Sequence, residues 1–233
     1  MEQRTREVWV DWMRVVAMFL VIVVHSTEPF YLGGPGSCIL TRSDAFWVSF
    51  FDTFARACVP LFVVASSYLQ FPLHYPTGEF FRRRAVRVLV PFAIWSVVYA
   101  LAWGEPVQNF KDLLLNFNYA AGHLWFMFML IGVYLVMPIF SPWIEKVSKR
   151  GEQAFLLLWL FTTTIVFWRE LAMLVFGQHR VWGGAFWNEY GSFYYVSGFI
   201  GYLFIGLYIR RFLKDWTWQR TLANALFLFA AGW

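Results

Sequence analysis

The stretch VWVDWMRVVAMFLVIVVHSTEP, residues 8–29, decides the fold class of this chain. It is long enough to cross a bilayer core as a helix, which takes about 20 residues. It also carries two ionisable side chains, Arg14 and His25, eleven positions apart. Eleven residues make almost three helical turns, so both side chains are expected on one face, roughly 16 Å apart along the axis. Ionisable groups at that depth are costly, and they usually mark a functional site that faces the interior of a helix bundle.

The rest of the chain repeats this apolar pattern. Of its 233 residues, 60% are hydrophobic and 14% are charged, whereas about a quarter of the residues in a soluble domain are charged. Segments long enough to span a membrane run over residues 8–29, 45–71, 84–103, 121–142, 154–176 and 191–211, and a seventh begins near 221. The sequence therefore predicts an all-α, polytopic transmembrane helical bundle with six full helices and a truncated seventh. We expect residues 1–233 to be a single integral-membrane domain that is incomplete at its C-terminus.

The basic residues indicate how the chain is oriented in the membrane. Alternate connections hold thirteen of the nineteen: Arg4, Arg6, Arg82, Arg83, Arg84, Arg87, Lys146, Lys149, Arg150, Arg210, Arg211, Lys214 and Arg220. Because Lys and Arg accumulate in cytoplasmic loops, the N-terminus is predicted to be cytoplasmic. Arg14 then lies toward the cytoplasm and His25 toward the outer side. The net charge of +5 reflects this topology, and no nucleic-acid partner is expected.

Arg14 and His25 together suggest chemistry within the first helix. A histidine titrates close to neutral pH and can act as a general base toward a hydroxyl or an amine. An arginine lower on the same face can hold an anionic group. The alternative is that Arg14 snorkels to one membrane surface and His25 lies near the other, with an accidental spacing.

The stretch FFRRRAVRVLVPF, residues 80–92, contains a second basic motif. Arg84 and Arg87 are three positions apart at the predicted start of the third helix, so we expect them on one face. Helix N-termini and arginines both favour phosphate, so coenzyme A or a nucleotide would suit this position. Alternatively, these residues satisfy only the requirement for positive charge at a cytoplasmic helix end.

Other polar residues within the apolar segments are further candidates for a groove or an acceptor side. Asp52 and Arg56, four apart, form either an internal ion pair or part of the groove lining. His123 and Trp125 begin the fourth helix at the outer face, either as an interfacial belt or across from His25. Glu28, one turn beyond His25, either orients the imidazole or is a solvated surface residue. No metal-ligand spacing, glycine-rich phosphate loop or serine-nucleophile elbow is recognised, so no metal site is expected.

These motifs together resemble the integral-membrane acyltransferase 3 family. Its first-helix signature, an arginine and a histidine separated by ten residues, matches Arg14 and His25, and its R-x-x-R motif matches Arg84 and Arg87. RACVPLFVVASSYL, residues 56–69, resembles the family's R-x-x-VPLFF-x-x-SG-[FY]-L, with Ser67 in place of the usual glycine. HLWF and YLVMP resemble a further block, which includes His123, Trp125, Tyr134 and Pro138.

The resemblance implies a fold of about ten transmembrane helices, of which the later ones, with an acidic residue, are absent from this chain. It implies transfer of an acyl group, most often acetyl, from cytoplasmic acyl-CoA to an exported carbohydrate or lipid-linked glycan. His25 would be the catalytic histidine, and Arg14, Arg84 and Arg87 would bind or position the donor. Acyl-CoA is then a substrate, no cofactor is bound permanently, and the protein would be multi-pass in the inner (plasma) membrane.

A transporter or flippase of lipid-linked or anionic solutes is the alternative function. The same polar helix stripe would then line a pathway across the membrane. Consumption of acyl-CoA distinguishes the two functions, because only the transferase breaks a thioester bond.

Overall fold

The computed structural model describes residues 7–32, 39–102, 105–115, 119–177, 196–213, 216–217 and 219–224. Over these ranges the chain is helical and contains no β-strand, which confirms the all-α prediction. The helices are α1 (Val8–Leu32), α2 (Arg42–Ala55), α3 (Cys58–Gln70), α4 (Thr77–Arg84), α5 (Val90–Ala102), α6 (Pro106–Leu115), α7 (Trp125–Lys146), α8 (Lys149–Phe176) and α9 (Ile200–Phe212).

Four stretches of the described chain are long and apolar enough to cross a membrane. They are Val8–Phe30, Arg42–Gln70, Thr77–Ala102 and Gly122–Lys146, and they correspond to the first four predicted segments. Helix α8 covers the fifth segment and α9 covers the C-terminal half of the sixth. Residues 191–195 of the sixth segment and residues 225–233 of the seventh lie outside the described ranges.

The second span is divided into α2 and α3 at Arg56 and Ala57. Helix α2 begins with a capping box, in which the Thr41 hydroxyl accepts the Asp44 amide at 3.1 Å and the Asp44 carboxylate accepts the Thr41 amide at 2.9 Å. It ends at Ala55 because Pro60, four residues after Arg56, has no amide hydrogen to donate to the Arg56 carbonyl. A single helix was expected here, and the proline explains the difference.

The third span begins earlier than the sequence predicts. Helix α4 starts at Thr77, directly after Pro76, and continues through a π-helical turn at Ala85–Leu89 into α5. The prediction that Arg84 and Arg87 lie at a helix start is therefore wrong. Arginine is a good helix former, so the polar run at residues 82–84 extends the helix beyond the apolar segment.

The chain forms two compact units, Met1–Leu69 with Arg150–Trp233 and Gln70–Lys149. The single domain expected over residues 1–233 stays a prediction. In the first unit α1 packs on α2 and α3 through small clusters of apolar residues: Leu20, Val24, Ala55 and Cys58 in one, and Val10, Ala65 and Tyr68 in the other. The edge of the Trp9 ring meets the Tyr68 ring, with ring centroids 4.6 Å apart.

Helices α8 and α9 of the first unit are joined by a buried carboxylate. Glu152 is fully buried, and its Oε2 accepts a hydrogen bond from Arg211 at 3.0 Å. One residue along, Gln153 donates to the Tyr208 hydroxyl at 2.8 Å. The neighbouring Arg210 donates to the backbone carbonyl of Tyr68 at 2.8 Å and so ties α9 to α3.

The second unit has an aromatic centre. Phe80 of α4 is fully buried and its ring meets the Tyr134 ring of α7 edge to face, with centroids 5.8 Å apart. Val133 and Met137, which are close to Tyr134 along α7, are also buried. The Ser141 hydroxyl accepts the Leu73 amide at 3.0 Å, which fixes the chain that leads into α4.

Candidate active site

His25 and Glu28 form a direct pair on the last turns of α1. The Nδ1 atom of His25 lies 2.9 Å from Oε2 of Glu28, and 38% and 34% of the two side chains are exposed. Because a carboxylate only accepts, the neutral imidazole donates its Nδ1–H and leaves Nε2 as an acceptor. This contact is the one expected if Glu28 orients the imidazole, which is one of the two alternatives that the sequence left open; the role itself stays a prediction.

The prediction that Arg14 and His25 share one face of α1 is confirmed, because the helix is continuous from Val8 to Leu32. The expectation that this face points into the bundle is wrong in part. The buried stripe of α1 consists of Val10, Ala17, Leu20 and Val24. Arg14 and His25 lie about a quarter of a turn away from it, and 37% of the Arg14 side chain is exposed. Apolar residues take the packed face because an ionisable group there would lose its hydration.

Arg14 has a weak partner on its own helix. Its Nη1 lies 4.0 Å from Oδ1 of Asp11, one turn earlier. At that distance the two charges attract without a direct hydrogen bond, so the guanidinium keeps donors for an anionic ligand.

Asp52 links α2 to the His25 end of α1. Its Oδ2 accepts from Nε of Arg56 at 3.0 Å, as the ion-pair alternative predicts. Its Oδ1 lies 3.1 Å from the Thr27 hydroxyl. Thr27 is therefore a residue of this region that the sequence analysis missed. The sequence clue to Thr27 was a hydroxyl-bearing residue between His25 and Glu28, on the side of the helix that carries the buried stripe.

Arg84 and Arg87 have different surroundings within the second unit. The guanidinium of Arg84 lies over the Phe80 ring at 5.4 Å and over the Tyr134 ring at 5.2 Å from the centroids. Its Nε is buried without a hydrogen-bond partner. Arg87 lies in the π-helical turn and is exposed. Within the described ranges neither arginine is paired with a carboxylate, whereas the adjacent Arg83 is paired with Glu79.

His123 and Trp125 lie at the start of α7, as predicted. His123 belongs to a short 3₁₀ turn, Tyr119–Leu124, and its ring meets the Tyr99 ring of α5 edge to face at 4.9 Å. Trp125 is the first residue of α7 and is exposed. The placement of His123 across from His25 stays a prediction.

No group of three or more His, Cys, Asp or Glu residues within the described ranges could hold a metal ion. The described residues of this region offer an imidazole paired with a carboxylate, and arginines that lie over aromatic rings or form weak ion pairs.

Comparison with known proteins gives one clear relationship. No curated protein and no solved structure matches the chain. The sequence profile of the acyltransferase 3 family, described as an acyltransferase domain, matches residues 7–233. With several apolar helices long enough to span a bilayer, the chain is a multi-pass membrane acyltransferase, and it belongs to the acyltransferase 3 family.

Proposed function

We propose that this protein transfers an acyl group, expected to be acetyl, from cytoplasmic acyl-CoA to a hydroxyl of an exported carbohydrate or glycolipid. The membrane is the inner (plasma) membrane, with the N-terminus in the cytoplasm as the basic residues predict. The observation that carries this proposal is the pairing of His25 with Glu28 at 2.9 Å on an accessible surface of α1. An imidazole that a carboxylate orients is the arrangement that general-base catalysis of acyl transfer requires.

His25 acts through Nε2, because Nδ1 is engaged by Glu28. In the general-base route, Nε2 removes the proton from the acceptor hydroxyl as its oxygen attacks the thioester carbonyl. The tetrahedral intermediate then expels the coenzyme A thiolate, which takes the proton from the imidazolium. In the covalent route, Nε2 itself attacks the thioester carbonyl and expels the coenzyme A thiolate. The acceptor hydroxyl then attacks the acyl-imidazole, the imidazole leaves, and the hydroxyl proton goes to the thiolate. Both routes end with an ester and free coenzyme A.

The arginines provide the donor side of the proposal. Acyl-CoA carries several phosphate charges, and arginine binds phosphate with two parallel hydrogen bonds. Arg84 and Arg87 suit this role because no carboxylate in the described chain neutralises them. Arg14 is assigned to the same donor because its ion pair with Asp11 is long.

The experiment that tests the proposal follows label from radioactive acetyl-CoA into membrane glycans. Membranes containing His25→Ala should lose transfer by about 10²- to 10⁴-fold, the usual contribution of a general base. Glu28→Gln should lower kcat by less and leave the KM for acetyl-CoA unchanged, because it disturbs only the orientation of the imidazole. Ser26→Ala is the matched control, since the Ser26 hydroxyl bonds only to the Ile22 carbonyl of its own helix.

Two results would contradict this function. Full activity in His25→Ala would remove His25 from the mechanism. If the wild-type protein consumed no acetyl-CoA with a broad set of acceptors but moved a lipid-linked glycan across the membrane, it would be a transporter.

A further inference from the structure

The π-helical turn at Ala85–Leu89 has an identifiable cause. The Val90 amide donates to the Ala85 carbonyl, five residues earlier, instead of to the carbonyl four residues earlier. Pro91 follows directly. It has no amide hydrogen for the Arg87 carbonyl, and its ring would clash with that carbonyl in a regular α-helix. A π turn widens the backbone at this place, and such turns occur frequently at functional sites.

This turn lies within the arginine motif itself. In a regular α-helix, Arg84 and Arg87 would be neighbours on one face, as residues three apart are. Because a π turn closes a wider ring than an α turn, residues three apart in it are turned further from one another than in an α-helix. Accordingly Arg84 is partly buried against two rings, whereas Arg87 is exposed. The expectation that the pair shares a face rests on regular α-helical geometry, which does not hold across Ala85–Leu89.

The guanidinium of Arg84 lies over two aromatic rings that are themselves held in place by packing. Phe80 is fully buried and Tyr134 is 8% exposed, so neither ring can move far from the guanidinium. The rings hold the charge without neutralising it, because the faces of aromatic rings attract cations but carry no net charge. The buried Nε of Arg84 keeps an unused hydrogen, which an anion alongside would satisfy.

We propose that Pro91 divides the arginine pair into two separate phosphate contacts, a fixed one at Arg84 and an exposed one at Arg87. The donor then meets the two arginines with two different phosphate groups, and the pair does not clamp a single phosphate. This inference rests on the proposed function. Acyl-CoA has two such groups, the pyrophosphate and the ribose 3′-phosphate, whereas its 3′-dephospho analogue has only the first.

The first experiment compares the binding of acetyl-CoA and 3′-dephospho acetyl-CoA to the purified protein in lipid nanodiscs. The wild type should bind acetyl-CoA about 10- to 100-fold more tightly, as one charge-assisted contact allows. One of the variants Arg84→Ala and Arg87→Ala should abolish this preference. The other should weaken the binding of both ligands by a similar factor and so keep the preference. Arg82→Ala, an exposed arginine of the same run, is the control and should preserve the preference.

The second experiment tests the part played by Pro91 without any ligand. In a protein with Cys38 and Cys58 replaced by serine, Arg84→Cys and Arg87→Cys are labelled with a membrane-impermeant maleimide from the cytoplasmic side. Position 87 should react faster than position 84, and Pro91→Ala should bring the two rates together. Pro142→Ala is the matched control, because Pro142 lies inside α7 with no π turn, and it should leave both rates unchanged.

Three outcomes would overturn the inference. Loss of the 3′-phosphate preference in both arginine variants would mean that the pair clamps one phosphate. If the wild type bound the two donors equally, or bound neither, there would be no second phosphate contact. Unchanged labelling in Pro91→Ala would exclude the proline as the cause. His25-dependent acetyl transfer that persisted beside any of these results would leave the proposed function intact.

Discussion

At the scale of single residues, several charges in the described chain are paired with an opposite charge on the same helix. Asp52 pairs with Arg56 and Glu79 with Arg83, each within one helical turn. Charges are costly within a membrane unless they are paired or hydrated, so local pairing is the expected solution. Arg84, whose charge lies over two rings and not beside a carboxylate, departs from this rule. A departure of this kind favours a ligand over a purely structural role.

Glu152 provides a prediction about pH at this scale. It lies before the fifth apolar segment, and burial raises the pKa of its carboxyl above the usual 4.5, while the charge of Arg211 lowers it. The folded protein therefore holds this proton more tightly than the unfolded chain does. The free energy of unfolding is highest below the usual carboxyl pKa, and it falls as pH rises from there through the raised pKa of Glu152. Arg211→Met should lower the free energy of unfolding by about 1–3 kcal/mol at neutral pH. This is less than the loss on breaking a fully buried ion pair, because Arg211 is partly exposed.

The measurement is thermal unfolding in detergent, followed by tryptophan fluorescence from pH 4 to pH 8. The deficit of Arg211→Met should grow with pH, because the carboxyl pKa rises further once the guanidinium is gone. Glu152→Gln is the control, since an amide does not titrate and its melting temperature should lack this pH dependence. A deficit in Arg211→Met that is the same at every pH would contradict the assignment.

At the scale of elements, prolines determine where the backbone departs from a regular α-helix. Pro60 and Pro91 each follow a candidate arginine by four residues, and in both places the backbone departs from a regular α-helix, as a break at Arg56–Ala57 and as the π turn at Ala85–Leu89. Pro29 stands in the same relation to His25 and lies inside α1. In each case the missing amide removes one helical hydrogen bond, but only at Arg56 and Arg87 does the backbone leave the α-helical form.

Close helix packing in the first unit gives the prediction for this scale. A Cβ atom at Gly206 of α9 would lie 2.5 Å from the Val64 carbonyl oxygen and 2.8 Å from Cβ of Ser67, both in α3. The Ser67 hydroxyl donates to the Leu203 carbonyl, which shows how closely the two backbones approach. Gly206→Ala should therefore destabilise the protein by about 1–3 kcal/mol, because a backbone atom cannot move aside as a side chain can.

Melting temperature in detergent checks this prediction, with Gly132→Ala as the matched control. Nothing lies within 4 Å of a Cβ placed at Gly132 of α7, and alanine favours a helix over glycine by about 1 kcal/mol. The control should melt at the same temperature as the wild type or higher. If Gly206→Ala also melted no lower than the wild type, α3 and α9 would not be in contact as described.

At the scale of the whole molecule, the distribution of basic residues predicts the orientation in the membrane. Arg82, Arg83 and Arg84 lie at one end of a candidate span, and Lys146 lies at the end of another. We expect these ends in the cytoplasm, because positive residues are retained there. Glu105 and His123, at the opposite ends, are then expected on the outer side.

Reporter fusions test this orientation. Alkaline phosphatase, which is active only outside the cytoplasm, should be inactive when fused after Lys146 and active when fused after Glu105. A green fluorescent protein fusion at each position should give the reverse pattern and serves as the internal control. Activity of the phosphatase after Lys146 would invert the topology and place the R-x-x-R motif away from cytoplasmic acyl-CoA.

The sequence by itself determined the helical class, the position of four spans and the membership of the family. It also identified Arg14 and His25 as residues of one face, because helical periodicity depends only on neighbours along the chain. Its error at Arg84 has the same origin, since apolar content marks the membrane core and not the start of a helix. The sequence could not show the π turn at Ala85–Leu89, because this depends on how the backbone accommodates Pro91.

The tertiary structure alone decided which distant groups meet. Thr27 reaches Asp52, Arg84 lies over Tyr134, and Glu152 holds Arg211, and the members of these pairs are 25 to 59 residues apart. No local pattern specifies such contacts, because they arise from side-chain packing between helices that the chain brings together only on folding. The contact between His25 and Glu28 could be anticipated from the sequence because the two residues are one turn apart, whereas the two rings that face Arg84 are brought together only in the folded chain.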